Sequence, residues 1–395
     1  VIWSSRVDGN LPTNRLTTTL AALRAEGRPI IDLTLSNPTI ADFEYPGGLL
    51  QALASTRGLV YRPEPFGVRE AREAVAADYE RRGVSVSASR IVLTASTSEA
   101  YSLLLKLLCD PGADILVPRP SYPLLDHLAR LDAVRPRFYD LEYHYRWCID
   151  FGSLERAISP AARAIVVVSP NNPTGSRIRS DEFNRLDRFA RAHDAALIVD
   201  EVFVDYDLTN GAASDAAVAL REPSSLLFSL GGLSKSIGLP QAKLAWIATA
   251  GPPLLVDEAL ARLEFAADAY LSVSTPVQEA AAALLHGGRG VREQIQARVA
   301  GNYRHLVRNV PEKSGCTVLN ADGGWYAVLR VPAIASEEDL VVSLLEDDGV
   351  LTHPGYFFDF QTGVHIVVSL LPPPEPFREG VGRLLRHFAC TPDGT

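Results

Sequence analysis

The segment 229-SLGGLSKSIGLPQAKLAW-246 sets two lysines among glycines and serines, although only Lys106, Lys235, Lys243 and Lys313 of the chain's 38 basic residues are lysine. Two chemistries suit such a stretch. A phosphate loop requires G-x-x-x-x-G-K-[ST], but Ser234 precedes Lys235 and the glycines stand at 231 and 232, so the spacing excludes it. A buried lysine beside other cationic groups instead has a lowered pKa and attacks aldehydes as a free amine.

Three further polar clusters follow apolar runs. In 94-TASTSEA-100, Ser96, Thr97 and Ser98 open a helix whose free N–H groups and dipole suit a phosphate, or simply cap it. In 169-SPNNPTGS-176, Asn172 brings an amide to a sheet edge, where it can donate to an oxygen or serve as a turn residue. In 197-LIVDEVF-203, Asp200 ends a buried run and requires a cationic or hydrogen-bonding partner, unless it is a loop or helix cap. An aldehyde cofactor with a phosphate and a pyridine nitrogen uses all of them. Lys235 takes the aldehyde, Ser96, Thr97 and Ser98 the phosphate, Asn172 the phenolic oxygen and Asp200 the ring nitrogen, as pyridoxal 5'-phosphate demands.

The elements that must position these residues alternate along the chain. GVREAREAVAADYERRG, TSEAYSLLLKLLCDPG, PLLDHLARL and SDEFNRLDRFARAHD have helical spacing, and RIVLTAS, ADILVPRPSY, ARAIVVVSP and AALIVDEVF lie between them as strands. ILVP, AIVVVS and ALIVD are apolar throughout, which predicts an α/β fold whose mostly parallel sheet is covered on both faces. Ligands of such sheets bind beyond the carboxyl ends of the strands. Upstream, residues 13–27 read as a helix leading into the strand-like 30-IIDLTLSNPT-39. After about 275 come a long helical pattern broken at His-Gly-Gly, the strands GGWYAVLRVP and HIVVSLL, the helix SEEDLVVSLLEDDG, the loop PPPEP at 372–376 and a last helix, PFREGVGRLLRHFA. The expected division is a large cofactor-binding domain over 46–280, with 1–45 and 281–395 forming an N-terminal segment and a smaller α/β domain.

Composition narrows the function classes. A net charge of -9 and scattered arginines disfavour nucleic acid, and 47% hydrophobic with 22% charged residues suits a globular chain. No apolar run approaches a membrane span, and VIWSSRVDGN lacks signal-peptide character, so a cytoplasmic protein is expected. Cys109, Cys148, Cys316 and Cys390 form no C-x-x-C pair, so neither a metal site nor a disulfide framework is expected.

N-P-T-G at 172–175, D-E-V-F at 200–203 and S-K-x-x-G-L-P at 234–240 resemble the class I/II aminotransferases of the aspartate aminotransferase-like fold, fold type I of pyridoxal-phosphate enzymes. Intervals of 28, 35 and 8 residues separate Asn172, Asp200, Lys235 and Lys243, in agreement with that family's spacing. The resemblance implies cofactor contacts from Ser96, Thr97, Ser98, Tyr122, Asn172, Asp200, Ser234, Lys235 and Lys243, with Tyr122 stacked on the pyridine ring. It implies a homodimer in which Tyr61 reaches the neighbouring subunit's phosphate. The implied reaction is transamination between an amino acid and a 2-oxo acid, with Lys235 and Asp200 catalytic. A C–S lyase acting by β-elimination and a catalytically silent scaffold are the alternatives.

Three departures from the family pattern stand out. Phe203 occupies the place of a tyrosine that donates to the phenolic oxygen, so the Schiff base is expected to keep its proton to higher pH. Lys243 stands for the phosphate-binding arginine, keeping the charge without the fork. In HIVVSLL, Val367 stands where an arginine normally grips the substrate α-carboxylate. Arg15, Arg6, His365, Tyr356 and the backbone at 36-SNP-38 are the candidates to replace it, the alternative being a substrate that is not an ordinary α-amino acid.

Overall fold

The computed structural model describes residues 1–7, 9, 13–209, 220, 222–271, 273–310 and 315–388. Lys313 and Cys390 lie outside them. In chain order the helices are α1 (Arg15–Ala25), α2 (Arg69–Arg81), α3 (Thr97–Leu108), α4 (Leu124–Leu131), α5 (Phe151–Ala157), α6 (Ser180–Ala192), α7 (Leu233–Ser236), α8 (Pro253–Tyr270), α9 (Thr275–Gly287), α10 (Arg289–Asn309), α11 (Glu337–Asp348) and α12 (Pro374–His387).

The all-apolar runs become the centre of a large sheet. Its strands are β2 (Ile91–Thr94), β3 (Asp114–Arg119), β4 (Arg135–Tyr143), β5 (Trp147–Ile149), β6 (Ala162–Val168), β7 (Ala196–Asp200), β8 (Leu227–Gly232) and β9 (Ala245–Ala250), ordered β2-β9-β8-β7-β6-β3-β4-β5. Only β9 and β5 run against the rest. Both faces are buried, and the period of two divides them. On β7, Leu197 and Val199 join the core that includes Val75 of α2 and Leu186 of α6, whereas Ala196 and Ile198 join the core that includes Leu104 of α3 and Leu263 of α8. The carboxyl ends of β2, β3, β6, β7 and β8 therefore share one edge, which brings together segments remote in sequence.

A second, four-stranded sheet is antiparallel, with order β10-β11-β14-β13 for β10 (Thr317–Val318), β11 (Tyr326–Arg330), β13 (His353–Pro354) and β14 (His365–Ser369). The N-terminal segment joins this part through a parallel pair between β1 (Ile31–Asp32) and β12 (Val350–Leu351).

Some expectations need correction. Of the strand-like stretch 30–39 only Ile31 and Asp32 pair, because Asn37 caps a single 3₁₀ turn, Pro38–Ile40, that diverts the chain. PPPEP is not all loop: Pro374 opens α12, where its fixed φ is suited and no amide is lost. The hairpin of β4 and β5 was not anticipated. β4 is largely exposed, so its sequence carries no apolar run.

Two glycines are demanded by close approach. A Cβ on Gly231 would come within 2.5 Å of Trp246 Nε1. Gly175, at the end of N-P-T-G, has φ +68°, and a Cβ there would meet the Gly323 carbonyl oxygen at 2.6 Å. That carbonyl cannot retreat freely, since the Asp322 and Gly323 amides both donate to Gly175 O at 2.9 Å. Gly175→Ala is expected to cost about 2 kcal/mol or more, measured by denaturant unfolding of the cofactor-free protein.

Candidate active site

One cavity of about 370 Å³ opens at the shared strand edge. Thr97, Tyr122, Asn172, Asp200 and Lys235 line it together with Ser36, Tyr101, Phe203, Tyr326, His353, Phe357 and Phe358. Segments more than 130 residues apart thus converge, as the spacing argument required.

Lys235 lies on α7, the short turn entered directly from β8. Its Nζ is 4.8 Å from the Trp325 ring centre and 5.6 Å from that of Phe203. The backbone beneath it is held twice. The Tyr206 hydroxyl donates to the Lys235 carbonyl, and Arg292 Nε donates to Ser236 O at 2.8 Å. Arg292 is itself buried and paired with Asp78 at 2.9 Å and Asp205 at 3.3 Å. Burial pulls the Lys235 ammonium down to about 8, with Asp200 opposing the fall. About a tenth is therefore free amine at pH 7, far more than for an ordinary lysine.

Asp200 stands at the end of β7. Its carboxylate accepts from the Val202 amide at 3.1 Å and from the Tyr101 hydroxyl at 3.0 Å. Burial nevertheless pushes its pKa up to about 6. Two donors do not replace the hydration it has lost, so a cation placed against it would relieve the deficit. Asn172 is buried, and its Oδ1 has no partner.

The other expected residues are arranged around this group. Ser96 caps α3, accepting from the Glu99 amide at 3.1 Å, while Glu99 accepts in return from the Ala95 amide. Capping engages the Ser96 oxygen, and Thr97 and Ser98 fall in the helix's first turn, where amides lack intrahelical acceptors. Ser234 is half-buried next to Lys235, Lys243 is exposed in a left-handed conformation at φ 53°, and Tyr61 is 63% exposed. None of Ser96, Ser98, Ser234, Lys243 and Tyr61 lines the cavity.

The candidates to replace the carboxylate arginine separate clearly. Arg15 is exposed and paired with Asp339 at 2.5 Å, and Arg6 bonds Ser4 and the Leu131 carbonyl. His365 stacks on Phe360 with ring centres 4.4 Å apart, and Tyr356 is 44% exposed. None of the four lines the cavity, and of that group only Ser36 does. Sequence reasoning missed Tyr101, Tyr206, Arg292, Trp325, Tyr326 and His353. Local sequence marks none of them: Tyr101 lies on α3, Arg292 on α10 and His353 on β13, Trp325 precedes and Tyr326 opens β11, and Tyr206 lies in the loop after β7.

A doubly covered sheet with a depressed-pKa lysine, a buried aspartate and an unpaired amide at its carboxyl edge defines a class of enzyme. The chain belongs to the class I and II aminotransferases, whose family model matches residues 44–375, and it is an aminotransferase. It is similar to the alanine aminotransferase of Mycobacterium tuberculosis, with 27% identity over 366 residues, 89% of this chain and 84% of that protein. It is also similar to the glutamate-pyruvate aminotransferase AlaA of Haemophilus influenzae, with 25% identity over 378 residues, 93% of this chain and 92% of that protein. Its fold matches that of an alanine aminotransferase from Pyrococcus furiosus with a TM-score of 0.85 and 24% identity, over 94% of this chain and 95% of that one.

Proposed function

We propose that the protein uses pyridoxal 5'-phosphate to move an amino group between an α-amino acid and a 2-oxo acid, with Lys235 as the residue that binds the cofactor aldehyde. The observation that carries this reading is the cavity shared by Lys235, Asp200 and Asn172, in which a lysine with a lowered pKa lies with a buried carboxylate that has lost its hydration. Asp200 lacks a cation and would hold the protonated ring nitrogen. The Asn172 side chain would meet the phenolic oxygen through its amide N–H, and Tyr122, at the cavity wall, would cover the ring. Ser96, Thr97, Ser98, Ser234 and Lys243 would hold the phosphate at the start of α3.

When bound, the cofactor supplies an electron sink for the pair left on the amino acid's α-carbon. Lys235 moves the proton. As a free amine it would take the α-proton from the bound amino acid as a general base and give it back as a general acid. A pKa near 8 leaves it able to accept and release that proton. Walls of Pro123, Leu124, Leu125, Phe357 and Phe358 exclude water from this exchange.

A homodimer belongs to the same reading, with Tyr61 at the partner's phosphate, supported by the exposed run Leu59, Val60 and Tyr61. So does the division into a large domain over 46–280 and a smaller part from 1–45 and 281–395, because every strand of the large sheet falls inside 46–280 and those of the smaller sheets outside it. A cytoplasmic location is supported by the free thiols of Cys109 and Cys148. Among the described residues no helix is long and apolar enough to cross a membrane, and no cluster suits a metal ion. The substrates of the relatives, alanine and glutamate with their 2-oxo acids, are the first to test.

The test is titration of the cofactor-loaded protein with single amino acids. Amino transfer consumes the visible band with one equivalent of 2-oxo acid released, and a second 2-oxo acid restores it. Pyruvate with ammonia and an unchanged band would instead indicate elimination.

Phe203 provides a further expected result. A hydroxyl added at its ring edge would donate to the cofactor's phenolic oxygen and favour the form in which that oxygen is fully anionic and the linking nitrogen unprotonated. Phe203→Tyr should therefore lower the pH at which the Lys235 linkage loses its proton, by about one unit. The absorbance change with pH reads it directly.

A further inference from the structure

The register of the small sheet shows what surrounds the vacant arginine position. Val367 of β14 lies opposite Val328 of β11 on one side and opposite His353 of β13 on the other, while Tyr326 lies opposite Ser369 two residues along. Directly opposed residues share a face, as do residues two apart, so His353, Val367, Val328, Tyr326 and Ser369 project from one side of the sheet. His353 and Tyr326 line the cavity that holds Lys235 and Asp200. Val367 does not, being fully buried in the sheet's core. Ser369 is also committed, donating to the Leu35 carbonyl at 2.5 Å.

An inventory of the lining then leaves few choices for an incoming carboxylate. No arginine lines the cavity among the described residues, and its ionisable groups are Lys235, Asp200, His353 and the tyrosines 101, 122 and 326. In the proposed reading Lys235 and Asp200 would hold the cofactor and Tyr122 would cover its ring, while Tyr101 donates to Asp200. His353 and Tyr326 remain, with Ser36 on the same wall. Of these, only the imidazole can take up a proton and become a cation against a carboxylate. It packs against Phe357 and Phe358, with ring centres 6.0 and 5.8 Å away, and burial lowers its pKa while Asp32 opposes the fall, so an arriving carboxylate would favour its protonated form.

We propose that His353 receives the substrate's α-carboxylate in place of the absent guanidinium, and that it determines the preference for apolar α-amino acids over amines lacking that group. The proposal rests on the aminotransferase reading above, for it places the carboxylate by reference to Lys235 and the cofactor. The carboxylate oxygens accept from the imidazole N–H, assisted by the Tyr326 hydroxyl. The substrate side chain is left to the Leu124, Leu125 and Phe357 wall.

The test compares 3-phenylpropanoate with 3-phenylpropanamide, two nonreactive probes of similar shape of which only the first carries a charged, acceptor-only group. Calorimetry on the cofactor-loaded enzyme should give at least about tenfold tighter binding of the carboxylate, the factor expected of one hydrogen bond to a charged group. His353→Phe should bring that ratio to about one, and His353→Gln, which keeps a donor, should retain most of it. With leucine or phenylalanine as donor, KM should rise about tenfold in His353→Phe with kcat changed much less. A ratio of one in the wild-type enzyme, or an unchanged ratio in a folded His353→Phe enzyme, overturns the proposal. Failure of the aminotransferase reading is distinct, since it would appear as absence of the Lys235-linked absorbance before any probe is added.

Discussion

Lys235→Ala is expected to reduce kcat for amino transfer by at least about 10⁴-fold and to remove the visible absorbance of lysine-bound cofactor. Two contributions are lost together. The amine no longer binds the aldehyde, and no group in the cavity replaces it as the acid and base at the α-carbon; proton transfer alone is worth about 10²–10⁴-fold. His353, the other nitrogen base on the cavity wall, lies on β13 of the small sheet, whereas Lys235 follows β8 at the cofactor edge. The variant should fold, because the Tyr206 and Arg292 bonds go to backbone carbonyls that alanine keeps. Single-turnover absorbance with added amino acid checks the result. A small primary amine such as methylamine should restore part of the rate, since the vacated space admits it. Retention of the absorbance in Lys235→Ala would show that another residue holds the cofactor.

The second large effect concerns Asp200. Asp200→Asn should lower kcat by about 10²–10³-fold, the usual cost of one preorganised electrostatic partner in a desolvated site. An amide cannot stabilise a protonated ring nitrogen as a carboxylate does. Stability should move the other way in the cofactor-free protein. The folded carboxyl has its pKa raised from 3.8 to about 6, so between those values the folded state binds more protons than the unfolded one. The favourable contribution is thus complete below about 4 and is lost as pH rises through 6. Above that, the buried anion is a liability on the order of 2–3 kcal/mol. Asp200→Asn should flatten this part of the stability profile and unfold at higher temperature at pH 8 than the cofactor-free wild type. Thermal unfolding at pH 4, 6 and 8, with and without cofactor, checks both signs. Added pyridoxal phosphate should stabilise the wild type more than the variant.

These two residues were legible in the sequence because covalent and electrostatic chemistry depends on residue type and on the intervals between strand ends. Asp200 closes an apolar run, and Lys235 is one of four lysines. The helices and strands of the large sheet were legible for a related reason: burial on both faces forces continuous apolar runs. β4 escaped notice because it is largely exposed, and α12 began two residues early because proline at a helix start resembles proline in a loop. Ser96 shows how two readings of one residue can coexist, since its hydroxyl caps α3 while the following amides stay available.

The carboxylate question divides differently. HIVVSLL shows by itself that an arginine is missing, but its neighbours in sequence, His365 among them, are misleading as substitutes. His365, two residues from Val367, shares its face but lies at the far end of the strand, opposite Arg330 and stacked on Phe360. His353 stands fourteen residues away in sequence and directly opposite Val367 in space. Residue types and intervals therefore pointed to the family that most of the chain bears out, and to Lys235 and Asp200, which the fold brings to one cavity. Which side chains share the cavity with them was decided by strand register and sheet packing, because cross-strand neighbours are set by nonlocal hydrogen bonding that no local pattern records.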